Sequence, residues 1–289
     1  MSEFHWNRPI FILGNPRSGT SLLRLMLDSH ISICIPPESH FFLWLEEKYG
    51  EWENRFLESY LEDLFQSTKF ETWNLEKKEV RNFLKTQKIN SYAKLNSLVY
   101  YFYSLKNNRN VSFWGDKNSL WIEKLYKIKE YYPQAFYIHI VRDGRDVACS
   151  YKLLNSRKIK SKYFPKLPDN VEEIAKTWAH NIKKIDNFID TIDAKKTIQV
   201  SYEDLLKTPE VTLQRILDKL DLKFLKTQTE YYLKDKKEIE PEAFFAWKEK
   251  LKQPPDITNV GKYKNELTTE EIYVFNTLAK KTLLKYGYL

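Results

Sequence analysis

Pro9-Ile-Phe-Ile-Leu-Gly14-Asn-Pro-Arg17-Ser-Gly-Thr-Ser21-Leu-Leu23 is the stretch on which the reading of the whole chain turns. Pro9 to Leu13 is an apolar, partly β-branched run, the pattern of a strand buried on both faces. Gly14, Pro16 and Gly19 make a tight turn, and Leu22-Leu-Arg-Leu-Met-Leu27 continues as a helix. A strand, a glycine turn and a helix N-terminus aim backbone N–H groups and the positive end of a helix dipole at one point, which suits a phosphate or sulfate. Arg17 and the hydroxyls of Ser18, Thr20 and Ser21 reinforce that anion site.

The spacing Gly14-x-x-x-x-Gly19 is that of a P-loop, but Thr20-Ser21 stands where Lys-[Ser/Thr] is usual. A kinase or ATPase uses that lysine on the β/γ-phosphates and sets Mg²⁺ with the next hydroxyl. Here the cation in the loop is Arg17, and no metal-ligand cluster is expected. A small-molecule kinase with a degenerate P-loop is the alternative reading, and it carries a Mg²⁺ requirement.

The chain has 289 residues, 42% hydrophobic and 15% aromatic, enough for a sizeable core. Its formal charge of +8 points to anionic partners without naming them. Basic residues are dispersed and mixed with acids, so a nucleic-acid stripe is not expected. Cys34 and Cys149 are too few for a disulfide framework or a four-ligand zinc site, and both read as buried free thiols. There is no signal-like leader before the first strand and no run of the roughly 20 apolar residues that span a membrane. A soluble cytoplasmic protein is the expectation.

Further strands are expected at Ile31–Ile35, Val111–Trp114, Ala135–Val141 and Thr197–Ser201, and helices at 41–65, 77–105, Leu120–Tyr131, Asp146–Leu154, Val171–Ile192, Glu210–Leu220 and from Thr268. The stretch from Lys234 to Lys252 has no clear period. Alternating strands and helices make an α/β fold with a mostly parallel central sheet, helices on both faces and a helical cap. The chain is read as a single domain, 1–289, with the cap inserted over about 41–106. Ligands of such sheets bind outside the carboxyl ends of the strands, where every polar cluster of this chain falls.

The second cluster is Val141-Arg142-Asp-Gly-Arg145-Asp-Val-Ala-Cys-Ser150. Arg142 leaves a strand and Ser150 lies in the following helix, so a guanidinium and a hydroxyl can grip one phosphate from two sides. The plainer reading pairs Arg142 with Asp143 or Asp146. Two anion sites at two strand ends describe a nucleotide phosphorylated at both ends of its ribose.

These residues resemble the sulfotransferase superfamily, whose donor is 3′-phosphoadenosine-5′-phosphosulfate (PAPS, leaving 3′,5′-adenosine bisphosphate, PAP). The likeness runs from Pro9 to about Pro209 and is of the bacterial and tyrosylprotein type. It implies the P-loop-like three-layer fold and metal-independent, in-line sulfuryl transfer to the hydroxyl of a small-molecule acceptor. It also implies Arg17 on the bridging oxygen, Ser18, Gly19, Thr20 and Ser21 around the 5′-phosphate, and Arg142 with Ser150 on the 3′-phosphate. Lys117 resembles the second catalytic lysine, and Tyr202 matches the tyrosine near the adenine, against the plainer reading of a capped core tyrosine. Val260-Gly261-Lys-Tyr-Lys264 is similar to the family's Gly-x-Trp-Lys, so Gly261 with Lys262 or Lys264 is a further 3′-phosphate contact.

The acceptor must lose its proton as the O–S bond forms, which requires a base within reach. Cytosolic members carry a His in the segment that holds Lys117, and this chain has Asn118-Ser-Leu there. The tyrosylprotein branch uses a Glu after the second strand. Glu38 stands at the matching distance from Arg17, and His40 is its competitor. The alternative for both is capping of the next helix, a task Ser39 can perform alone. The acceptor pocket is expected between the helices of 41–105, with Trp44, Trp52 and Tyr101, and the loop of 155–170.

Overall fold

Side chains alternate across a strand, and in this sheet the alternation separates two cores. The structure is a computed structural model and describes residues 4–157, 159–235 and 239–289. Strands β1 (Ile10–Leu13), β2 (Ile33–Cys34), β3 (Phe113–Lys117), β4 (Phe136–Val141) and β5 (Thr197–Ser201) form one five-stranded sheet in the order β2-β3-β1-β4-β5. Every pairing is parallel. Phe11, Leu13 and Tyr137 face one apolar cluster, while Ile10, Ile12, Phe136, Ile138 and Ile140 face another.

Helix α1 (Thr20–Asp28) covers the second cluster. Helices α2 (Phe41–Tyr49), α3 (Leu57–Gln66), α4 (Lys77–Lys85), α5 (Tyr92–Lys106) and α6 (Leu125–Tyr131) cover the first, which is dense in aromatic rings. Helices α7 (Gly144–Asn155) and α8 (Val171–Ile189) share a third cluster around Trp178. Helices α9 (Tyr202–Lys207) and α10 (Pro209–Asp218) return to the side of α1. After them come the short turns α11 (Phe245–Lys248) and α12 (Tyr263–Glu266), then α13 (Thr269–Leu278) and α14 (Lys280–Lys285). The architecture is α/β with a P-loop-like parallel sheet between helical layers.

Several boundaries differ from the sequence reading for physical reasons. β3 is displaced toward the carboxyl end because Gly115, Asp116 and Lys117 pair with Ile10, Phe11 and Ile12, which draws polar residues into the ladder. β2 keeps only Ile33 and Cys34, which pair with Phe113 and Trp114, and Ile31 is 73% exposed. Each long helix expected over 41–65 and 77–105 is two helices. Ser91 Oγ accepts from Lys94 N and starts α5 afresh. The expected start at Thr268 is present as a capping box, in which Thr268 and Glu271 satisfy each other's amides. Cys34 and Cys149 are buried and free. Residues 158 and 236–238, within the two lysine-rich stretches, lie outside the described residues. Among the described residues no helix is long and apolar enough to cross a membrane.

Candidate active site

The carboxyl edge of the sheet collects Gly14 and its loop from β1, Glu38 after β2, Lys117 at the end of β3, Arg142 after β4 and Tyr202 after β5. The loop is fastened from behind. Asn15 Nδ2 donates to Pro16 O at 2.8 Å and to Tyr151 Oη at 3.1 Å, and Asn181 Nδ2 donates to Asn15 Oδ1 at 2.8 Å. Arg17 and Gly19 have φ of 69° and 90°. A Cβ on Gly19 would lie 2.3 Å from Tyr202 Cδ2, so the absence of a side chain lets the ring close on the loop. No side chain caps the start of α1 at Gly19, so its first amides are open to an anion.

In front of the loop is a cavity of about 380 Å³ lined by Arg17, Gly19, Thr20, Ser21, Arg142, Ser150, Tyr202 and Lys262, with residues from Trp247 to Asn259 as its outer wall. At one end Arg17 Nε donates to Ser150 Oγ at 3.2 Å. Arg142 donates to Arg17 O at 3.2 Å and to Asn259 O at 2.7 Å, and its guanidinium lies 4.4 Å from the centre of the Tyr202 ring. The plainer pairing of Arg142 with Asp143 or Asp146 does not form. Arg145 takes Asp143 at 2.7 Å, and Asp146 accepts the amides of Gly261 at 2.7 Å and Tyr263 at 3.0 Å. Burial, and then the neighbouring Arg142, push the Arg17 guanidinium down to about 10. Ser18 Oγ and Arg142 Nε are buried without a hydrogen-bond partner. Such groups are costly unless an acceptor meets them, so the residues fit an anionic ligand.

Deeper, Glu38 is held by cations on both oxygens. Lys117 Nζ donates to Oε2 at 2.6 Å, Lys69 pairs with Oε1, and His40 Nε2 lies 3.3 Å from Oε1. Burial alone would raise the Glu38 carboxyl; Lys117, the contact with His40, Lys69 and Lys248 outweigh it and hold it well below the usual carboxylate range. Ser39 does not cap α2: its hydroxyl is buried without a partner, and His40 occupies the cap position without capping the helix through its side chain. Trp44 touches the edge of His40 at 5.0 Å, whereas Trp52 packs on Tyr60 and Tyr101 on Phe4.

The structure therefore brings Arg17, Gly19, Thr20, Ser21, Arg142, Ser150, Tyr202 and Lys262 to one cavity, with Ser18 fully buried in the loop and outside its lining, and Glu38, His40 and Lys117 to one cluster. The Arg17 side chain lies at Ser150, not at Lys117. Gly261 and Lys264 lie outside the cavity lining: the Gly261 amide is taken by Asp146, and Lys264 is exposed. Two lysines were not singled out from the sequence. Lys69 reaches Glu38 from 31 positions away, and Lys248 lines the cavity from the stretch without a period. Neither sits in a motif, so no local signal marks it.

A parallel sheet whose glycine turn opens a helix N-terminus onto a cavity that Arg17 and Arg142 also line defines a P-loop-like α/β fold. The chain belongs to the sulfotransferase family, whose profile matches residues 9–226. It is similar to protein-tyrosine sulfotransferase A of Caenorhabditis elegans, at 25% identity over 214 residues, 74% of this chain and 50% of that protein. The chain thus spans about half the length of that curated relative. In fold it is similar to the sulfotransferase domain from the curacin biosynthetic pathway (TM-score 0.60, 24% identity, 94% of this chain and 97% of that one). It is also similar in fold to the mouse sulfotransferase SULT7A1 complexed with PAP (TM-score 0.55, 14% identity, 97% and 86%). The chain thus falls in the sulfotransferase family rather than among kinases with an altered loop.

Proposed function

We propose that this enzyme uses PAPS and moves its sulfuryl group in line, without a metal, to the hydroxyl of a small-molecule acceptor, with Glu38 as the base. One observation carries the donor assignment. Arg142, buried and without a carboxylate partner among the described residues, lies with Ser150 at one end of a cavity whose wall includes the open start of α1. Two anion sites in one cavity call for a donor with two anionic groups, and the mouse enzyme of the same fold is complexed with PAP.

When bound, the donor supplies a sulfuryl group on a phosphate. The amides at the start of α1, with Thr20 and Ser21, hold the 5′ end; Arg142 and Ser150 hold the 3′-phosphate, and Lys262 is the C-terminal lysine placed to join them. Tyr202 stacks beneath Arg142 beside the loop. Glu38 takes the acceptor proton while the acceptor oxygen bonds to sulfur and the old S–O bond pair stays on the phosphate oxygen. Lys117 answers that developing charge. In the free enzyme Lys117 and Glu38 neutralise each other, and turning Lys117 toward the donor releases the carboxylate.

The test is thermal. PAP raises the melting temperature and AMP does so far less, because only PAP engages Arg142 and Ser150. A ligand at 100 times its dissociation constant adds about 2.7 kcal/mol. Equal shifts from both nucleotides would refute the two-phosphate assignment.

A further inference from the structure

Lys248 lies beyond the residues that the family profile matches, and no motif points to it. Its side chain is 9% exposed and its ammonium donates to Glu240 Oε1 at 2.9 Å. The same carboxylate oxygen lies 3.1 Å from Arg24 Nη2, and Glu240 Oε2 is buried without a partner. Arg24 is itself fixed to the carbonyls of Ile35 at 3.0 Å and Ile239 at 2.7 Å. Lys248 and Lys69 flank one ring, at 4.9 and 5.7 Å from the centre of Phe244, and Lys69 reaches Glu38. Lys248 thus neighbours the Lys69 that holds Glu38, and it shares the cavity wall with Thr20 and Ser21.

The charges here do not balance. Among the described residues Arg24, Lys69, Lys117 and Lys248 pair with Glu38 and Glu240, four cations against two carboxylates, while Asp28, which Arg24 also faces, is matched by Arg109. Counting the neighbouring Asp116 as ionised still leaves the cations in excess. Buried positive charge in excess is expensive until an anion arrives. Arg24 and Lys248 share Glu240, Lys69 and Lys117 share Glu38, and of these four cations Lys248 is the one that lines the cavity.

We propose that Lys248 is a further catalytic residue, one that contacts the 5′-phosphosulfate end of the donor and shares with Lys117 the charge left on the phosphate. This rests on the PAPS reading. Burial, opposed by Glu240 and Glu38 and assisted by Lys117 and Arg24, pushes the Lys248 ammonium down to about 8, so an anion that binds it also recharges it.

The test compares PAP with adenosine 3′-monophosphate, by calorimetry, on the wild-type chain, Lys248→Met and Lys248→Arg. Lys248→Met is expected to weaken PAP roughly ten- to a hundredfold and to leave the 3′-monophosphate unchanged. Wild-type affinity for PAP is expected to fall above about pH 8, by up to roughly tenfold per unit, while Lys248→Arg stays level. Measurements stop near pH 9 because Arg17 itself titrates at about 10. Unchanged PAP binding by Lys248→Met, or equal losses for both nucleotides, overturns the proposal, as does a pH dependence that persists in Lys248→Arg. Should Lys248→Met not fold, the Lys248→Arg pH profile decides alone. Failure of the wild-type chain to bind PAP at all refutes the donor reading itself, a result distinct from these.

Discussion

Glu38 is kept ionised in a buried place by the cations around it, and the same cations make it a weak base in the free enzyme. On the proposed mechanism basicity has to be recovered when Lys117 turns to the donor, which would couple Glu38 and Lys117 rather than leave them independent. Glu38→Gln is expected to cost ~10²–10⁴ in single-turnover rate with alkyl alcohols and less with phenols, whose protons leave more easily. His40→Ala is expected to cost little. A near-wild-type Glu38→Gln beside an inactive, folded His40→Ala would give the role to His40. Lys69 supplies the finer probe: Lys69→Met removes one of the cations that lower Glu38, so the acid limb of the pH–rate profile is expected to move to higher pH. An unmoved limb would mean that Lys69 does not tune the base.

The glycine turn is where element geometry and site chemistry coincide. Gly19 and Gly261 both have positive φ, 90° and 72°, but only the first is crowded: a Cβ there meets Tyr202, while one on Gly261 meets nothing within 4 Å. Gly261→Ala is expected to cost only the left-handed conformation, about 1–2 kcal/mol. Gly19→Ala bears that cost and also displaces Tyr202, so it is expected to lose more in urea unfolding and to abolish PAP binding. Equal costs for the two would show that the ring does not depend on the loop. The same contrast explains what the sequence made legible. The loop, β4 and β5 are contiguous patterns whose function follows from local order, and they stand where they were read. β3 runs three residues past the apolar run because Gly115, Asp116 and Lys117 join the ladder for the sake of β1, a partner over a hundred positions away. Lys69 and Lys248 stayed invisible for the same reason. Their role is made by meeting Glu38 and Glu240 in space, and nothing adjacent to them in the chain announces it.

Over the whole molecule two buried groups oppose each other in mildly acidic solution. His139 is 1% exposed, and burial, partly offset by Asp186, pushes it down to about 4. Between about 4 and 6.5 the unfolded chain binds a proton there that the folded chain does not, so stability falls as the pH falls through that window. Asp116 is also 1% exposed, and burial, resisted by the bond from Trp121 but assisted by Glu38, pushes it up to about 7. Between about 3.8 and 7 the folded chain holds the extra proton, so stability falls as the pH rises. Each effect alone amounts to roughly 3–4 kcal/mol. His30, lowered by burial, sides with His139, and Asp146, raised by burial, sides with Asp116. The two contributions therefore nearly cancel from about pH 5.5 to 6.5, above the range in which carboxylates lowered in the folded chain, Glu38 and Glu240 among them, add their own loss of stability as the pH falls. Asp116→Asn keeps an acceptor for the Trp121 indole and removes the proton site. In that variant stability should rise with pH through the window, while His139→Leu should show the reverse slope. Melting curves of the three proteins across this range check the assignment, and parallel profiles for both variants would show that neither group titrates in the folded chain as its burial demands.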